Sequence, residues 1–118
     1  MEFANQILSA STLSGDRVRN SKGDDLGKVE DFMLDFGSGR IVYAVLSFGG
    51  IMGIGDKLFA VPPDALTIDK ENHCFVMDVD KGKLEGAPGF PKNNWPDFAD
   101  QSLGSRIYAY YGSQPYWN

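Results

Sequence analysis

Between residues 15 and 79 the apolar positions come in short bursts, each closed by Gly, Pro, Asp or Asn. "GDRVRN" (15–20) predicts a first short strand, and "SKGDD" (21–25) is a turn cluster. In "LGKVEDFMLDF" (26–36), Phe32, Leu34 and Phe36 keep a strict two-residue rhythm that breaks near Val29, where a bulge is expected. "GSG" (37–39) supplies a tight hairpin, because glycine accepts the positive φ such turns need. In "RIVYAVLSF" (40–48) the alternate sets are Ile41, Tyr43, Val45 and Val42, Ala44, Leu46, Phe48. Both sets are apolar, which predicts a central strand covered on both faces. "KLFAVP" (57–62), "ALTID" (65–69) and "HCFVMDV" (73–79) complete about six strands at the spacing of small barrels and sandwiches. Pro62 and Pro63 interrupt the ladder, and "DKGKLEG" (80–86) predicts one short helix.

The pattern changes near residue 86. The organisation expected is an N-terminal segment (1–10), a β domain (11–86) and an aromatic, proline-rich extension (87–118). The extension holds eight of the fifteen aromatic residues, four of the six prolines and four charged residues. That is too aromatic for an ordinary disordered tail and too broken by Pro and Gly for a long helix, so irregular structure with short turns is expected. Two readings follow. The extension packs on its own barrel, or it is a recognition segment that docks on another chain.

Composition narrows the function. The net charge of −5 argues against a nucleic-acid binder and against docking on anionic lipid, both of which use clustered Lys and Arg. Cys74 is the single cysteine, so no intrachain disulfide forms; this fits a reducing compartment, and a cytoplasmic location is expected. The opening "MEFANQILSAST" has no basic region or long apolar run, so no signal peptide is expected. No stretch approaches the ~18 consecutive apolar residues of a membrane span.

One glycine-rich stretch, "GGIMGIGDK" (49–57), invites a phosphate-binding reading. Gly50 and Gly55 have the Walker separation, but Asp56 stands where the lysine belongs and no Ser or Thr follows Lys57. The residues beyond read as a strand, not as the helix whose N–H groups would hold phosphate. The loop is therefore expected to join two strands and to bind no nucleotide. No metal site is expected either. His73 and Cys74 are adjacent, so on a strand they point to opposite faces, and no other His or Cys exists. "DVDKG" (78–82) fails as a calcium loop, with Lys83 and Gly89 at the sixth and twelfth positions. Asp31 and Asp35 are read as a solvated charged face rather than an acid–base pair. Neither catalysis nor a cofactor is expected.

Several linked motifs, in order, carry a family resemblance: "LGKVEDFMLD" before the hairpin, then "YAVLSFGG", "GDKLFAVP" and "APGF" (87–90). Over about residues 11–90 the sequence resembles a PRC-barrel domain, as found in the H subunit of the photosynthetic reaction centre, in a ribosome-maturation factor and in small stand-alone proteins. The resemblance implies an all-β fold, a small, strongly bent antiparallel barrel that contacts other proteins and has no active site. The function expected is a non-catalytic protein–protein interaction module. The alternatives are an accessory subunit of an electron-transfer or membrane-associated complex, and a small-ligand binder walled by the aromatic tail. A homodimer is expected, with Ile51, Met52 and Ile54 of the glycine loop and Trp95, Tyr108, Tyr110, Tyr111 and Trp117 of the tail as the interaction surface.

Overall fold

The computed structural model describes residues 7–49 and 57–115. Seven strands form one sheet: β1 (Arg17–Arg19), β2 (Asp25–Asp35), β3 (Arg40–Phe48), β4 (Lys57–Val61), β5 (Leu66–Asp69), β6 (Cys74–Met77) and β7 (Phe90–Pro91). Among the described residues three α-helices, α1 (Ala10–Leu13), α2 (Lys81–Glu85) and α3 (Gln101–Tyr110), and one 3-10 turn (Pro63–Ala65) accompany them. The spatial order is β5-β6-β1-β2-β3-β4-β7, so the sheet curls round a core without closing edge to edge. The all-β fold is as expected, with one strand more than the sequence suggested. Neighbours pair antiparallel except β1 and β6, which run parallel with Val18 opposite Phe75.

The core explains the bursts of apolar residues. Val18, Leu26, Val29, Ala44, Leu46, Phe59, Val61, Phe75 and Met77 line the concave side and are almost fully buried. Leu84 of α2 is fully buried in this core. Two bulges bend the long β2–β3 ribbon. The expected one is at Glu30, which lies unpaired between Val29↔Leu46 and Asp31↔Val45. A second, unexpected, leaves Val42 without a partner between Tyr43↔Met33 and Ile41↔Leu34. Because side chains alternate with a period of two, this extra residue moves Ile41 to the face of Leu34, away from Tyr43 and Val45 with which the sequence grouped it.

The extension also departs from expectation. It begins as β7 on the free edge of β4 and continues into a ten-residue helix, α3. Asp100 caps the helix start by accepting from the Ser102 N–H at 2.9 Å. At the other end Gly112, with φ +71°, donates to Ala109 O while Ser113 donates to Tyr108 O, a Schellman closure. Ile107 and Tyr108 bury themselves on the convex side of the sheet against Val42, Tyr43 and Ala60. The sheet is thus covered on both faces, as the two apolar sets of β3 required.

Two tyrosines three residues apart meet different fates. The Tyr108 hydroxyl donates to Val42 O at 2.6 Å in a buried site. The Tyr111 side chain packs against both cores, and its buried hydroxyl has no hydrogen-bond partner among the described residues. A satisfied buried hydrogen bond contributes roughly 1 kcal/mol net, whereas an orphaned hydroxyl costs free energy. Tyr108→Phe is therefore expected to lower stability by about 1 kcal/mol, and Tyr111→Phe to leave it unchanged or raise it, in urea denaturation. Burial also pushes the Tyr111 hydroxyl above the ordinary phenol value of 10.0. A raised folded-state value means stability present below pH 10 and lost as pH rises beyond it, so Tyr111→Phe should soften alkaline unfolding.

Candidate functional site

Several polar turns satisfy their own hydrogen bonds. The β1–β2 turn is built round Asn20, the one buried polar side chain among the described residues. Its Oδ1 accepts from the Lys22 and Asp24 N–H groups, and its Nδ2 donates to Asp24 Oδ2 and to Val79 O. A cavity of about 220 Å³ beside it is tied across by Ser21 Oγ–Asp78 (2.9 Å) and Lys22 Nζ–Asp80 (3.1 Å). Among the described residues no three His, Cys, Asp or Glu side chains stand close enough to share a metal ion. His73 is exposed at a turn with φ +51°, and the thiol of Cys74 is buried.

Three carboxylates are tuned by their partners. Hydrogen bonds from the Asn72 side chain and then its N–H, with help from Arg19, hold Asp69 below the ordinary carboxylate value. The Ser102 hydroxyl and then its N–H do the same for the cap residue Asp100. Burial works to raise Asp25, but the Gly27 N–H and Arg17 outweigh it and the net shift is downward. A lowered folded-state value gives stability that is complete above the ordinary value of 3.8 and lost as pH falls below it. Thermal melting should therefore be flat from neutral pH to about pH 5 and fall steeply below about pH 4. A midpoint that climbs on acidification would contradict this.

Among the described residues, exposed apolar side chains gather elsewhere. Among the described residues the exposed large apolar side chains are Ile7, Leu8, Leu34, Phe36 and Ile41. Leu34 and Ile41 are cross-strand partners at the far end of the β2–β3 ribbon, and Phe36 heads its turn with 94% of its surface open. Ile7 and Leu8 lead into α1. Between α1 and the ribbon end lies a groove of about 260 Å³, lined by Ala10, Ser11, Ser14, Asp31, Phe32, Leu34 and Ile41, with mostly apolar walls. The Val42 bulge creates this face, because without it Ile41 would point to the side of Tyr43. A third cavity, about 420 Å³, lies on the other side of Ile41, between Arg40, Pro63, Asp64, Tyr108 and Pro115.

The surface expected from the sequence lies partly outside the described residues: Ile51, Met52, Ile54 and Trp117 do so. The remaining members are not brought together as an open face. Tyr108 is 3% exposed and sits under its own helix. Trp95 is half-buried, its ring 5.3 Å from Phe90 and 6.2 Å from Phe98, and its Nε1 donates to Lys92 O at 2.7 Å. Tyr110 donates to Lys83 O, tying α3 to α2, and its ring lies 5.1 Å from that of Tyr111. Phe98 stacks on Tyr43 at 5.1 Å. These tail aromatics pack against one another and against the barrel. The hairpin end was missed because Phe32, Leu34 and Phe36 alternate like a core-facing strand; the cue was that the ribbon is eleven residues long on β2, longer than its neighbours can cover.

Among the described residues no helix is long and apolar enough to cross a membrane. A family model described as PRC-barrel domain matches residues 5–84, well over half of the chain. No curated protein matches it.

Proposed function

The chain belongs to the PRC-barrel family, and on that premise we propose that it is a non-catalytic docking module that holds another protein at the end of its β2–β3 ribbon. The observation that carries this reading is the gathering of Leu34, Phe36 and Ile41 at one uncovered end, 58%, 94% and 42% exposed. Contiguous apolar surface of this kind marks interaction sites in soluble proteins. The family is a non-catalytic one, and the polar clusters described above are closed among themselves, which supports a binding role over chemistry. A cytoplasmic location belongs to the same reading, supported by the single, buried Cys74 thiol.

The test is a variant carrying Leu34→Ser, Phe36→Ser and Ile41→Thr. These side chains lie outside the core, so its melting temperature should stay within a few degrees of the parent. Affinity purification from the native cells should recover a protein with the parent chain and lose it with the variant. Equal recovery by both would remove the ribbon end from the interface.

A further inference from the structure

We draw no further inference here: the strongest candidate, the apolar groove between α1 and the end of the β2–β3 ribbon, belongs to the docking face already described, and nothing in the structure shows what covers it.

Discussion

Replacing Gly27 with alanine is expected to destabilise the chain strongly. Gly27 lies in β2 with φ +94°, a conformation that side chains rarely adopt. A Cβ built there would come within 2.0 Å of Ser47 O on the neighbouring β3, far inside contact distance. The clashing atom belongs to the backbone of a central strand and cannot swing away. The left-handed conformation costs roughly 1–2 kcal/mol and the overpacking roughly 1–3 kcal/mol more, so a loss of about 2–5 kcal/mol is expected. That is a large share of the 5–15 kcal/mol that typically separates folded from unfolded domains. Gly112→Ala is the control. Gly112 also has positive φ, but a Cβ there meets nothing within 4 Å, so only the conformational cost of about 1 kcal/mol applies. Urea denaturation of the two variants should separate them clearly. Equal, small losses would show that β2 and β3 can spread at Gly27 and that the tight crossing is not fixed.

The second large effect concerns the extension. A chain ending at Glu85 is expected not to fold cooperatively. The deleted residues supply β7, which covers part of the free edge of β4, and the side chains that hide the convex face. Without Phe98, Ile107 and Tyr108, Tyr43 and Ala60 lose their cover, having been 1% and 2% exposed. Ala87 would also leave the concave core, and Lys83 O would lose the Tyr110 hydroxyl. Truncating a single buried aromatic residue to alanine costs about 3–5 kcal/mol, so removing several exceeds the stability of a typical domain. The expected outcome is a broad or absent thermal transition and aggregation in light scattering. A monomeric truncated chain with a sharp transition would show that the barrel stands alone and that the extension is an accessory.

How far the sequence foretold the structure depended on whether the deciding contact was local. The Glu30 bulge was legible because charged residues break the alternation beside Val29, leaving one residue too many for a single face. The Val42 bulge was not, because β3 is apolar on both faces and a one-residue slip leaves such a pattern unchanged. The parallel pairing of β1 with β6 joins segments some sixty residues apart, and no local signal encodes it. In α3 the start and stop were written plainly, with Asp100 before the helix and Gly112 and Pro115 after it. Gly104 and the run of tyrosines, poor helix formers, obscured what lay between. Tertiary burial of Ile107 and Tyr108 overrides that weak propensity. The candidate site was the least legible part. Exposure of Leu34, Phe36 and Ile41 arises because the β2–β3 ribbon outruns the core beneath it, and the length of the core is a property of the whole fold.

The docking role of the ribbon end is tested most directly by placing a photoreactive phenylalanine analogue at position 36 and irradiating the native cells. Phe36 is 94% exposed, so the substitution should leave the fold intact. The predicted result is a crosslink to another protein from position 36 and none from the same analogue at Glu71, an exposed turn between β5 and β6. A crosslink from position 71 with none from position 36 would contradict the account.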